Sequence, residues 1–318
     1  IYPRPLVMDI PQSDTGEMNT NECANKMNDI IGKRDEKIKE FQSKEMYNMV
    51  TKYSNTRKVR RFFDYEIRDK VGEILKGTYV TNAWIKLHEI LHTFPLLTNC
   101  NNKVNTFHIC EHPGAFIYSI TDYLKRNCPD AVHDFIFQSL KPTGKEKIFK
   151  AEKDLLEKHK KKLDYGPKNT GDITDPDNIK YYYSIHKMSK WDFITSDCGL
   201  DCSNDFTQQE SVLVPIYTGA FLTAIGISRK GSHYVFKMFT FNSPQSISLL
   251  SLCTEYYEKV YMTRLLTTKS VSGEIYIVCM NFKYDNMPQD KFIDLVDKYS
   301  KKELLSNTLS KNIGDKLI

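Results

Sequence analysis

From residue 105 onward, short apolar runs alternate with longer segments of helical spacing. Asn105–Cys110 and Val132–Ser139 are compact apolar runs, as are the stretches from Trp191 to Asp197 and from His233 to Lys237. Lys259–Thr263 and Ile275–Phe282 close the series. Residues 81–94, 114–126, 207–229 and 244–257 carry apolar side chains at helical spacing. The first of these stops before Pro95, which cannot continue a helix. Strands alternating with helices predict an α/β fold, a mostly parallel sheet covered on both faces. The last two runs, with little between them, predict an antiparallel hairpin at one edge. Upstream, residues 1–16 hold three prolines and read as an irregular arm, and 17–50 read as one or two solvated helices. The Lys-rich stretch 141–168 reads as an exposed insertion helix, and 285–318 as a polar helical tail. The expected division is a helical N-terminal extension over 1–75, an α/β domain over 76–284 and a C-terminal tail over 285–318.

Composition narrows the class. The chain has 318 residues, 12% of them aromatic, which is enough to build a packed core. Its net charge of +5 mildly favours an anionic partner such as RNA. Eight cysteines, at 23, 100, 110, 128, 198, 202, 253 and 279, follow no paired spacing. They read as reduced thiols in a cytoplasmic compartment. No apolar run reaches the length expected of a membrane span, so no membrane partner is expected.

Candidate chemistry lies at the ends of the apolar runs. Lys86 sits in a helix-like stretch; Asp197 and Lys237 end two runs and Glu274 opens a third. Two amines and two carboxylates at one sheet rim can balance each other and still leave one amine tunable. That arrangement suits removing a proton from a poor acid such as a sugar hydroxyl. The segment Cys110-Glu111-His112-Pro113-Gly114-Ala115-Phe116 follows a strand and opens a helix, the place where α/β sheets bind ligands. Gly114 allows close backbone approach, and the helix start offers N–H groups to a ligand carboxylate. His88-Glu89-Ile90-Leu91-His92 matches HExxH formally, but no third zinc ligand is in view, so no metal is expected. Cys198 and Cys202 lack the second pair that a metal site would need. Thr56–Arg61 is a basic cluster that suits either a solvated face or phosphate contact.

These segments together resemble the FtsJ-like, Rossmann-fold RNA ribose 2′-O-methyltransferases. The likeness is greatest to the mRNA cap enzymes of large cytoplasmic DNA viruses and their eukaryotic relatives. CEHPGAF resembles that family's CExPGGF loop, VTNAWIKLHEIL its first catalytic-Lys helix, and NTGDITD its GDxT segment. ITSDCG resembles its (A/S)DGG strand end, GSHYVFKMF its GGxxxxKxF strand, and the run through SGEIYIVC its SExYxVC strand. The likeness spans roughly 75–284. It implies a seven-stranded Rossmann-like sheet with an antiparallel edge strand, S-adenosylmethionine as cofactor, and a capped RNA 5′ end as substrate. Other capping or transcription subunits are candidate partners, and a viral member would work in a viral factory or virion. By this resemblance Lys86, Asp197, Lys237 and Glu274 are catalytic. Asn82, Cys110, Glu111, Pro113, Gly114, Ala115, Phe116, Asp172 and Asp197 bind the cofactor. Arg57, Arg60, Arg61 and Lys269 contact RNA. Ala115 and Cys198 depart from the family pattern by replacing glycines. The rival readings are a non-catalytic RNA-binding scaffold on the same fold, a ribosomal RNA 2′-O-methyltransferase, and the zinc peptidase suggested by HEILH.

Overall fold

The computed structural model describes residues 6–10, 16–40, 66–98, 102–142, 150–200, 209–268 and 272–310. In chain order the strands are β1 (Leu6–Ile10), β2 (Glu17–Asn19), β3 (Lys103–Ile109), β4 (Val132–Gln138), β5 (Leu163–Asp164), β6 (Phe193–Ser196), β7 (His233–Met238), β8 (Tyr257–Arg264), β9 (Ile275–Phe282) and β10 (Thr308–Ser310). The α-helices are α1 (Thr20–Glu40), α2 (Ile67–Leu75), α3 (Asn82–Thr93), α4 (Ala115–Asn127), α5 (Lys150–His159), α6 (Pro176–His186), α7 (Gln209–Ile227), α8 (Pro244–Tyr256) and α9 (Gln289–Ser300).

One eight-stranded sheet forms the centre, in the order β1-β8-β9-β7-β6-β3-β4-β5. β5, β4, β3, β6 and β7 pair in parallel. β9 is antiparallel to both β7 and β8 and lies inside the sheet, and β1 adds an antiparallel edge against β8. The α/β architecture is therefore as expected, with one strand more than seven. The extra strand comes from the N-terminal stretch that reads as an irregular arm, because five residues with a partner 250 positions away leave no local signal.

Burial alternates with the strand period. Phe193, Val235, Val278 and Tyr276 face the layer of α3 and α4. Ile194, Tyr234, Phe236 and Ile277 face the layer of α6 to α9. Both faces are dry, which is why these strands read as continuous apolar runs. Each fully buried aromatic contributes about 1.5–3 kcal/mol of burial free energy. α7 is long and apolar enough for a membrane span by composition, contrary to the reading of the sequence. Burial accounts for it: 72% of that window lies inside the fold, and Gly219 to Ile227 are all buried.

Local chemistry sets the helix starts. Thr81 caps α3 by accepting from the Trp84 N–H; Asp175 then Pro176 open α6, and Ser243 then Pro244 open α8. Two segments expected to be solvated are not. α1 buries Cys23, Ala24 and Met27 against the core, and α5 buries Leu155 against Ile117, Phe135 and Phe137. Two short strands far apart in sequence also pair: β2 and β10 form a small antiparallel sheet of their own. The tail over 285–318 is thus a helix followed by a strand within the described residues.

Candidate active site

Because β3, β6 and β7 are parallel, their carboxyl ends share one edge of the sheet, and antiparallel β9 begins there. That edge gathers Lys86, Asp197, Lys237 and Glu274. They form two ion pairs. The Lys86 Nζ, from α3, lies 2.6 Å from the Glu274 Oε1 and 2.8 Å from its Oε2. The Lys237 Nζ lies 2.8 Å from the Asp197 Oδ1. Glu274 is 6% exposed and also accepts from the Thr268 hydroxyl at 3.3 Å. Lys237 stands over the Phe239 ring, 5.6 Å from its centroid.

Tyr276 lies close enough to both pairs to feel their charges. It sits opposite Lys237 in the β7–β9 register, and its phenol is fully buried. Burial first, then the Asp197 and Glu274 carboxylates, pushes that hydroxyl well above the usual tyrosine range. Both carboxylates are therefore within electrostatic reach of one side chain.

Beside Asp197 lies a cavity of about 560 Å³. Its wall includes Asn82 at the start of α3, Cys110, Glu111, Pro113 and Ala115. Arg68 from α2 and Lys150 and Ala151 from α5 complete it. The size is that of a small-molecule site. Cys110 takes a left-handed backbone (φ +58°) at the end of β3, which turns the chain across the strand end. Gly114 has φ +100°, and a Cβ there would stand 2.7 Å from the Leu155 Cδ2. Only glycine meets both conditions.

The helix start does not wait for a ligand carboxylate. Glu111 supplies its own: Oε1 accepts from the Phe116 N–H at 2.7 Å and the Ile117 N–H at 3.2 Å. Burial first, then the Asp197 charge, pushes the Glu111 carboxyl well above the usual range. Of the expected cofactor residues, Gly114 and Phe116 do not line the cavity, and Phe116 is fully buried. Asp172 is not on this wall. Its Oδ1 holds the Thr174 N–H and hydroxyl, which fixes the turn before α6. The same edge still carries it, because Gln138 at the end of β4 donates to the Gly171 carbonyl and accepts from the Cys110 N–H. Arg57, Arg60, Arg61 and Lys269, the expected RNA contacts, lie outside the described residues.

The HEILH residues have structural duties. His88 stacks on Trp84 at 4.3 Å between ring centroids, and burial lowers its pKa to about 4. Glu89 accepts from the Leu266 N–H, the Thr267 N–H and the Thr267 hydroxyl, tying α3 to the loop that carries Thr268. The HExxH spacing is a formal match only, and the packing makes this segment the support of the Lys86–Glu274 pair. Cysteine chemistry also differs from expectation. Cys110 is joined to Cys198 by a disulfide, with Cα atoms 5.1 Å apart. Adjacent strand ends bring together two residues that sequence order keeps 88 positions apart.

Below the cavity runs a buried polar chain: Thr195, His108, Thr106, His133, Thr121. Its direction follows from donor counting. The Thr121 hydroxyl donates to the Ile117 carbonyl, so the His133 Nδ1–H must donate to Thr121. The Thr106 hydroxyl then donates to the His133 Nε2, and the His108 Nε2–H donates to Thr106. Each imidazole is neutral with one fixed tautomer. Burial agrees: desolvation, helped by the Lys162 charge, lowers the His133 pKa to about 3, and desolvation takes His108 well below its usual value.

Comparison with known proteins follows this geometry. The sequence profile of the FtsJ-like methyltransferase family matches residues 79–282. The chain is 34% identical over 226 residues to the uncharacterized protein L511 of Acanthamoeba polyphaga mimivirus, covering 70% of this chain and 28% of that protein. It is 30% identical over 233 residues to the cap-specific mRNA (nucleoside-2′-O-)-methyltransferase 2 of Pongo abelii, covering 69% of this chain and 29% of that protein. Among solved structures, a ribosomal RNA methyltransferase from Plasmodium falciparum aligns with TM-score 0.42 and 19% identity, covering 64% of this chain and 98% of that one. The match thus spans less than a third of either curated relative's length.

Proposed function

This chain belongs to the FtsJ-like methyltransferase family, and we propose that it methylates a ribose 2′-hydroxyl near the 5′ cap of mRNA. The observation that carries this reading is the pair of amine–carboxylate contacts beside a cofactor-sized cavity. The wall residues suit S-adenosylmethionine. Ala115 stands where the family pattern has a second glycine, yet its methyl lines the cavity without closing it. Asn82 and the Cys110–Ala115 loop would hold the cofactor, and its sulfonium supplies the methyl group.

The protein's own part is proton handling and orientation. A lysine amine is a poor base at neutral pH unless its surroundings disfavour its charge. In this reading Lys237 takes the proton from the ribose hydroxyl, and Asp197 orients the amine and balances the charge. Lys86, held by Glu274 and Thr268, positions the hydroxyl from the other side. An in-line displacement gains most from fixed geometry, which two tethered amines provide. The named activity of the Pongo abelii relative favours a capped mRNA substrate.

Methyl transfer onto matched RNAs tests the proposal. The expected substrate is capped RNA with an unmodified ribose; transfer to uncapped RNA at the same rate would move the assignment away from cap chemistry. Lys237→Ala should abolish transfer while S-adenosylhomocysteine still binds in calorimetry. A variant with near-normal turnover would remove Lys237 from the role of base.

A further inference from the structure

Cys198 is buried in the core, and Cys110 packs against the same core at the rim of the cavity. Ile109 and Ser196 are register partners at the ends of adjacent parallel strands, and Cys110, one residue beyond, and Cys198, two residues beyond, come together where the chain leaves those ends. The Cα separation of 5.1 Å lies within the range that native disulfides adopt. Each cysteine also touches the machinery. Cys110 opens the cofactor loop and borders its cavity, and Cys198 directly follows Asp197. Access is one-sided: Cys110 is half-buried and reached through the cavity, whereas Cys198 is 1% exposed.

We propose that Cys110 and Cys198 form a reversible thiol-modification site for hydroperoxide oxidants, and that the disulfide form holds the cofactor more tightly than the dithiol form. This rests on the cofactor reading given above. The chemistry balances in two steps. The Cys110 thiolate attacks a peroxide oxygen, forming an S–O bond, breaking O–O and releasing one water after protonation. The Cys198 thiolate then attacks that sulfur and expels the second water. Two thiols lose two electrons and hydrogen peroxide gains them. A dithiol reductant reverses the bond by exchange.

The direction follows from space and order. Two unbonded sulfurs must separate to van der Waals contact. Cys198 is enclosed, so the Cys110 sulfur moves toward its open side, which is the cofactor cavity. The bridge also restrains the loop from Cys110 to Gly114, leaving less freedom to lose on binding. Both effects favour the disulfide form. Couplings between two such sites are typically about 5- to 150-fold.

The test uses the full chain, oxidised with hydrogen peroxide or reduced with dithiothreitol. Peptide mass mapping measures the Cys110–Cys198 cross-link, and calorimetry measures S-adenosylhomocysteine affinity in each state. The expected result is a peroxide-dependent cross-link and at least about five-fold tighter binding in the oxidised protein. Cys198→Gly should bind with the same affinity under both treatments. No cross-link, equal affinities, tighter binding by the dithiol form, or a redox shift surviving in Cys198→Gly would each overturn the proposal. Absence of binding in every state and in the variant would instead overturn the cofactor reading, and the tightening with it, while the mass data still decide the cross-link.

Discussion

Replacing Lys86 by methionine separates what the Lys86–Glu274 pair does for folding from what it does for catalysis. Methionine keeps most of the stem's packing and removes only the charge. Among the described residues, Glu274 would then keep the Thr268 hydroxyl as its one side-chain partner, in a site only 6% exposed. Breaking a buried pair from one side costs about 3–5 kcal/mol, because the remaining charge is uncompensated. The side chains here are 15% and 7% exposed, so solvent screening discounts little, and the retained hydroxyl argues for the lower end, about 3 kcal/mol. Adding Glu274→Gln removes the stranded charge and should restore about 2 kcal/mol of that loss. Urea unfolding gives these free energies by linear extrapolation. Trp84, fully buried one turn of α3 before His88, is a convenient fluorescence reporter. Methyl transfer should be lost in both single variants and stay lost in the double variant. A Lys86→Met protein within about 0.5 kcal/mol of the parent would show that the pair contributes nothing in solution. A stable and active double variant would refute its role in the reaction.

Three further changes probe the surroundings of the site. Gly114→Ala places a side chain at φ +100° and 2.7 Å from Leu155, so it should cost about 2–4 kcal/mol in unfolding experiments. Leu155→Ala on top should relieve the contact but not the backbone strain. Glu89→Ala strips three hydrogen bonds from the 266–267 loop; turnover should fall more than cofactor affinity, as measured by kinetics and calorimetry side by side. Stability should also drop on acidification. His133 titrates near 3 in the folded chain and near 6.5 unfolded, so below pH 6.5 the unfolded state binds the extra proton. Between pH 7.5 and 5 this removes about 2 kcal/mol, with His108 acting in the same direction. Thr106→Val would interrupt the chain and alter that profile, whereas an unchanged profile would refute the neutral-imidazole assignment.

The elements that were legible in the sequence are those buried by their own pattern. β3, β6, β7 and β9 are largely buried on both faces, so each carries a short apolar run. α3 and α4 show their core stripe within a dozen residues. The illegible parts depend on distant partners. Leu6–Ile10 becomes a strand only because 260–264 offers an edge. Glu17–Asn19 and Thr308–Ser310 are each too short to signal a strand alone. α1 buries Thr20, Cys23, Ala24 and Met27 near its start, a small face in a polar segment that reads as solvated. At the site, the charged residues carry motif spacing and were accessible, while their supports were not. Gln138 and Glu89 act through contacts that span a strand gap or nearly 180 residues, and nothing local distinguishes them. Asp172 shows the reverse case. Its motif is clear, yet the structure gives its carboxylate a turn to hold.

Register makes the two ion pairs interdependent. Lys237 stands opposite Tyr276 on β9, so the position of Glu274 relative to Lys237 is set by one antiparallel pairing. A slip of one residue would shift Glu274 by about 3.3 Å and exchange the two faces of β9. The slipped strand would turn Ile277 toward α3 and Tyr276 toward the opposite helices. The penalty is not electrostatic. It comes from Val235 and Val278 packing on one face and Phe236 and Ile277 on the other, all fully buried. The apolar pairs thereby hold the charged ones in place, and Glu274 reaches Lys86 only when the sheet below it is packed correctly. Core substitutions at Val278 or Ile277 should therefore damage methyl transfer out of proportion to their effect on cofactor binding. The cofactor cavity is built on β3, β6 and the neighbouring helices, and β9 does not line it.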